Sequence, residues 1–275
     1  MSERPLIRVA AQNNAEWCDA FCRTHGIVGH FRAGCWFSPV RTPRYYPDAV
    51  TLLPEITIEQ VLSGIDTSEG CSVKDSFAGL DLAAAGFRPL FRAHWLAREP
   101  AGSRVRSARR WSLLTTAEQL CGWEAAWAGS AEGAGFFKPS LLEDETIGVL
   151  AGYEGDRIVA GAIANRSRTV IGLSNVFDVA GDLESAWVAA AATAASLWGE
   201  MTTVGYDSGD SLDAAHRGGF KSVGELVVWL NADSSPERAT RGVRGGAGTE
   251  KRGRRGEPIS LRDCHEPVRN SLCLL

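Results

Sequence analysis

Features that would place a chain in or beyond a membrane are missing from these 275 residues. No window approaches the ~18 uninterrupted apolar residues of a membrane span. The opening "MSERPLIRVAAQNNAEW" has no basic stretch leading into a long apolar run, so no export signal is expected. The cysteines lack regularity: there are seven, an odd number, at irregular spacing. Without an export signal they are expected to be reduced thiols of a cytoplasmic protein. Basic charge is scarce where nucleic acid would need it. Residues 1–235 hold 20 Lys/Arg against 28 Asp/Glu, whereas residues 236–275 hold nine against five. An acidic body is a poor sponge for phosphates, so neither nucleic acid nor membrane is an expected partner.

What is present supports ordinary cores. Hydrophobic residues make up 44% and tryptophan occurs nine times, and the length suits about two domains at ~150 residues each. The stretch from Ser234 onward, "SSPERATRGVRGGAGTEKRGRRGEP", has almost no large apolar residues. Burial cannot offset its ordering entropy, so residues 232–275 are expected to form a disordered basic tail.

Residues 110–231 carry a self-contained α/β pattern. "RRWSLLT" predicts a strand, and "TTAEQLCGWEAAWAG" a helix capped by Thr115 or Thr116 with Glu118 in its first turn. Three apolar strands follow, broken by the turn-forming "EGD" and "NRS", as an antiparallel meander would be. "DLESAWVAAAATAASLWGE" predicts an Ala-rich helix with Trp187, Ala190, Ala191, Ala194 and Trp198 at helical spacing and Asp182 as its cap. A strand "TTVGYDS", a short helix ending in Gly219-Phe220 and a strand "KSVGELVVWL" complete the set.

The N-terminal third is less regular. "NAEWCDAFCRTHG" predicts a helix starting near Asn14 and ending at Gly26. "YYPDAVTLLP" contains a strand and "TIEQVLSGID" a helix. "VKDSFAGLDLAAAGFRPLFRAHWL" then repeats the terminal pattern of the other half: strand, Asp-Ser, Leu-Asp, Gly-Phe, and a strand closing on Trp-Leu. Gly86-Phe87 answers Gly219-Phe220, and Trp95-Leu96 answers Trp229-Leu230. This similarity predicts an internal duplication, with residues 97–109 as the linker.

The order strand, helix, three-strand meander, long helix, strand, short helix ending in Gly-Phe, strand resembles the GNAT acetyltransferase superfamily. The resemblance implies a mixed α/β (α+β) fold of two GNAT-like units, each a partly splayed mixed sheet flanked by helices. A reduced unit would span 1–96 and a fuller one 110–231. It also implies an N-acetyltransferase that moves an acetyl group directly from acetyl-CoA to a small-molecule or peptide amine. The alternative is a catalytically inactive GNAT-fold protein with a ligand-binding or regulatory role.

Two family motifs are degenerate here. The diphosphate loop, normally Arg/Gln-x-x-Gly-x-Gly/Ala, reads "VFDVAGDLESAW" and keeps one glycine, Gly181. Asp178, Asp182 and Glu184 stand around the helix start, where carboxylates satisfy orphan N–H groups and repel a diphosphate. The tyrosine that protonates the leaving thiolate in many members is Ala215 here, and Leu82 in the first half. His216 is the nearest titratable substitute, with Asp178 and Glu154 as candidate bases. The resemblance places the cofactor against "GLSNVF" and the loop, hence Ser174, Asn175, Val176, Phe177, Val179 and Gly181. Tyr206 is expected to face the wedge or its back, depending on register.

Two other segments stand out. "CDAFCRTHGIVGHFRAGC" brings together Cys18, Cys22, His25, His30 and Cys35. The Cys-x3-Cys spacing suits thiols packed into a core better than a zinc site, so no metal is expected. "CWFSPVRTPRYYPDAVTL" sets Arg41, Tyr45 and Tyr46 on a proline-stiffened loop suited to a small anionic or planar substrate.

Overall fold

The structure, a computed structural model, describes residues 3–32, 34–100, 109–130 and 135–232. Most of the expected linker and tail therefore lie outside the described residues. The first half contains α1 (Glu3–Thr24), β1 (His30–Arg32), β2 (Cys35–Phe37), β3 (Ala49–Thr51), α2 (Ile58–Leu62), β4 (Ser72–Asp75) and β5 (Phe87–Arg98). The second contains β6 (Arg110–Leu113), α3 (Ala117–Ala128), β7 (Ile147–Glu154), β8 (Arg157–Arg166) and β9 (Val170–Asp178). Then come α4 (Leu183–Trp198), β10 (Thr202–Asp207), α5 (Gly209–Arg217) and β11 (Lys221–Asn231). No helix among the described residues is long and apolar enough to cross a membrane.

The strands of both halves join one mixed sheet in the order β1-β2-β3-β4-β11-β5-β10-β9-β8-β7-β6. Its middle is a reciprocal exchange. β4, from the first half, pairs antiparallel with β11 from the second. β10, from the second half, pairs antiparallel with β5 from the first. β5 and β11 are themselves paired along nearly their full length. Outward from that seam each side continues with a parallel partner, β3 beside β4 and β9 beside β10. The two segments whose sequences repeat each other thus supply the four central strands.

Local chemistry sets the element ends. Thr116 accepts from the Gln119 N–H while the Gln119 side chain returns to the Thr116 N–H, closing a capping box at α3. Asp182 accepts from the Ser185 N–H at the start of α4, as expected. α1, however, begins eleven residues before the predicted Asn14, with Pro5 tolerated in its first turn. Asn14 sits mid-helix and turns its side chain into the core. The short helix expected before Phe87 is a single 3-10 turn, Ala83–Ala85, stopped by Gly86 at φ 88°.

Strand alternation separates two layers. Leu173 and Val176 of β9 join Trp187, Ala190 and Ala194 of α4 in one core. Phe177 joins Trp17 and Phe21 of α1 and Trp123 of α3 in the core on the other face. Cys18 and Cys22 belong to that second core. Burial pushes the Cys18 thiol up to about 11 and raises Cys22 further still, so both are neutral small hydrophobes. Among the described residues no three His, Cys, Asp or Glu side chains come together as a metal ion would need.

Candidate functional site

β9 and β10 are parallel neighbours only from Thr202↔Val170 to Val204↔Gly172. Beyond that point β9 runs on to Asp178 and β10 to Asp207 without further pairing, so the sheet splays. Opposite the opening, β9 holds one residue more than β8 between Gly161↔Phe177 and Ile163↔Ser174. Asn175 takes up this bulge at φ 52°, in the left-handed region asparagine tolerates.

The loop from β9 into α4 holds an anion of its own. Asp178 Oδ1 accepts the N–H groups of Ala180 at 2.8 Å and Asp182 at 3.2 Å. Its other oxygen pairs with the Arg109 guanidinium, which also reaches Glu154 at 3.2 Å. These carboxylates hold the Arg109 pKa above its ordinary value despite the opposing cost of burial. Asp182 caps the helix through Ser185, and Glu184 pairs with Arg217 at 3.0 Å. Backbone donors that would cradle a diphosphate are therefore satisfied by carboxylates of the chain, at a helix end where negative charge is favoured.

On the α4 side the splay is filled by Trp187, which is fully buried. Its indole meets the Phe220 ring edge-on at 4.9 Å and donates to Ser211 Oγ at 3.3 Å. Ser211 in turn donates to Asp207, whose other oxygen accepts the Ser208 N–H. The fit requires glycine at 205: a Cβ there would lie 2.9 Å from the Leu173 carbonyl and 3.1 Å from the indole. The residues present do not fit an acyl-CoA. Its diphosphate would meet Asp178 and Asp182, and its pantetheine arm would meet the indole.

On the α1 side the same splay borders a small, mainly apolar cavity, about 10 Å³, the space one water molecule needs. Lys74, on β4, reaches it across the two central strands and is 1% exposed. Its ammonium donates to Asn14 Oδ1 at 2.9 Å and to the Tyr206 hydroxyl at 2.8 Å, and lies 4.2 Å from the Tyr206 ring centre. Ser174 Oγ is buried there without a hydrogen-bond partner. Half-buried Tyr45 and Phe136 and buried Tyr46 add an aromatic side to the lining. Tyr46 stacks on Phe21 at 3.8 Å, and burial raises its hydroxyl pKa well above the ordinary value.

The structure gathers Ser174, Asn175, Tyr45, Tyr46 and Tyr206 around this cavity. Val176 and Phe177 are packed in the two cores rather than presented to a cofactor. Val179 is exposed, and Gly181 forms the turn at φ 84°. His216 is exposed on α5, where it bonds Ser222 Oγ at 2.9 Å, while its neighbour Ala215 is the buried residue. The ~100° step between adjacent helix positions turns the imidazole away from the splay. Glu154 is exposed at a strand end and held by Arg109 and Arg157. Neither Glu154 nor Asp178 offers a free base: one is in an exposed ion pair, the other is spent on the loop. Arg41 is structural, clamping its loop through Asp48 at 2.6 Å and the Ser68 carbonyl at 3.1 Å.

Sequence reasoning missed Lys74 and Asn14 as site residues. The signal was a lysine inside the buried strand "SVKD" and an asparagine pair inside a helix, both unfavourable unless satisfied in the interior. The neighbouring Asp75 closes a turn, accepting the Phe77 and Leu80 N–H groups.

No protein-family model matches the chain, and no curated protein matches it in sequence. Solved structures do. A GCN5-related N-acetyltransferase from Kribbella flavida aligns at a TM-score of 0.53 and 17% identity, over 84% of this chain and 98% of its own. An acetyltransferase from the GNAT family of Colwellia psychrerythraea aligns at 0.43 and 12%, over 74% and 83%. A functionally unknown conserved protein from Staphylococcus epidermidis aligns at 0.45 and 14%, over 59% and 72%. The fold is that of the GNAT superfamily.

Proposed function

We propose that this chain is a GNAT-fold protein that binds a small molecule or regulates a partner without transferring an acyl group. The observation that carries the reading is the doubly closed cofactor path. Asp178 occupies the N–H groups before α4, and Trp187 occupies the gap between β9 and β10. The absence of an acid at Ala215 points the same way.

A second reading is favoured by one feature. The splay past Val204 and the bulge at Asn175 persist, and they are the backbone elements an acyl-CoA-dependent N-acetyltransferase would use. In that reading acetyl-CoA would be the donor and a small-molecule or peptide amine the acceptor. Proximity would supply most of the rate.

Turnover separates the two. Purified full-length chain mixed with acetyl-CoA and a panel of primary amines, polyamines and peptides should release free CoA thiol no faster than buffer. Saturable release dependent on one amine would establish the second reading and remove the first.

A further inference from the structure

A cleft of about 440 Å³ opens at the end of the sheet where β8 turns into β9 and α4 leads into β10. The Asp178 loop is about 26 Å away, the length of β9 from Val170 to Asp178 at ~3.3 Å per step. The volume is that of a small-molecule site. We propose that this cleft binds a free α-amino acid with an aromatic side chain. The carboxylate would meet Arg166 and Arg168, the ammonium Glu16, and the ring Trp198 and Met201. The inference goes beyond the proposed function and does not depend on whether the splay admits acyl-CoA.

Two arginines supply the anion site. Arg166 ends β8 and Arg168 sits in the turn that follows, both exposed. The ion pairs among the described residues engage Arg8, Arg23, Arg41, Arg109, Arg157 and Arg217, and neither Arg166 nor Arg168. Two guanidiniums lining one cleft repel each other, and a carboxylate set between them removes that cost while accepting paired N–H bonds.

The backbone that carries them is pinned. The Arg166 N–H donates to the Thr146 carbonyl at 2.8 Å, and the Ser167 N–H to that of Val170 at 3.0 Å. From α1, Asn13 Nδ2 donates to the Asn165 carbonyl at 3.1 Å and to Ser167 Oγ at 2.7 Å. Asn165 Nδ2 returns a bond to the Asn13 carbonyl at 2.9 Å. Cationic heads on a fixed turn lose less freedom when a ligand binds than heads on a drifting one.

Glu16 sets the ligand class, as the one acid lining the cleft. One of its oxygens accepts from Gln12 Nε2 at 3.0 Å and the other from Ser167 Oγ. Each carboxylate oxygen has two lone pairs, so one on each stays open to a further donor. The same carboxylate opposes a phosphate or any multiply charged anion, so the two signs together select a zwitterion. Trp198, at the end of α4, and Met201 are half-buried and supply an indole and a thioether. A Cβ at Gly148 would lie 3.3 Å from the indole, which therefore rests on β7 and is held in place. Both groups suit an aromatic ring.

Calorimetric titration of L-phenylalanine into the full-length protein should show one-to-one binding with a dissociation constant of about 1 mM or tighter. N-acetylphenylalanine lacks the ammonium, phenethylamine the carboxylate and glycine the ring. Each should bind about tenfold more weakly or worse. Joint replacement Arg166→Ala and Arg168→Ala should weaken phenylalanine by about tenfold or more and keep the wild-type circular dichroism, since both side chains are exposed. Glu16→Gln should narrow the gap between phenylalanine and N-acetylphenylalanine to about threefold or less. Absence of saturable heat with phenylalanine, equal binding of N-acetylphenylalanine or phenethylamine, or undiminished binding in the folded double variant would overturn the proposal. If the double variant does not fold, Arg168→Ala and the ligand contrast decide it. Turnover of acetyl-CoA would end the non-transfer reading and leave this inference standing. Silence toward phenylalanine would end this inference and leave that reading standing.

Discussion

Trp187→Ala is expected to lower the free energy of unfolding by about 3–5 kcal/mol, the range for truncating a large buried aromatic. The indole is fully buried, touches Phe220 edge-on and donates to Ser211. It fills the gap where β9 and β10 part, so no strand pairing lies beneath it to close the void. Backbone relaxation should be small, because Gly205 and the Leu173 carbonyl already fix the local spacing. Denaturant titration should show a lower midpoint at unchanged slope. Trp187→Phe should recover most of the loss, since the ring returns and only the bond to Ser211 is absent. A loss below about 1 kcal/mol for the alanine variant would mean that the gap is not filled by packing.

The second large effect belongs to Asp178. Asp178→Ala removes the acceptor of the Ala180 and Asp182 N–H groups and the buried partner of Arg109. The cost should be about 2–4 kcal/mol, because two loop N–H groups lose their acceptor and Arg109 keeps the half-exposed Glu154 as a partner. The loss should be repairable from outside. With the carboxylate gone, Arg109 and the freed N–H groups form an anion site at the start of α4. Inorganic pyrophosphate should therefore raise the melting temperature of D178A while leaving the wild type unmoved. Asp178→Asn should cost less, since an amide oxygen still accepts from the loop. Equal stabilisation of wild type and D178A by pyrophosphate would show that the carboxylate does not occupy the cradle.

Much of the fold could be read from local pattern. The caps at Thr116 and Asp182, the Ala-rich face of α4 and the Gly-Phe stop before β11 are all statements about neighbours within a few residues. So was the competing acid in the loop: three carboxylates at a helix start announce that its N–H groups are already spoken for. The start of α1 was obscured because "QNN" reads as a helix breaker. Those side chains are satisfied at long range, Asn13 on the Asn165 carbonyl and Asn14 on Lys74. β1 and β2, three residues each, are too short for periodicity to register.

The central exchange was out of reach for a different reason. Repetition of "VKDS…GF…WL" and "VGYDS…GF…WL" led to an expectation of two similar units, and such an expectation does not say whose strand pairs with whose. Crossing β4 with β11 and β10 with β5 brings Lys74 within 2.8 Å of Tyr206, 132 positions away. The cavity exists because of that crossing, so its residues could be named from the sequence only one at a time, as Tyr45, Tyr46, Ser174 and Tyr206 were.

The closed cofactor path is most directly tested by calorimetric titration of acetyl-CoA into the full-length protein at low ionic strength, where anion binding is least screened. A path blocked by Trp187 and an anion cradle held by Asp178 predict no saturable heat at ligand concentrations up to about 1 mM, against which a free energy near −4 kcal/mol would already register. One-to-one binding with a dissociation constant of about 10 µM or tighter would contradict it.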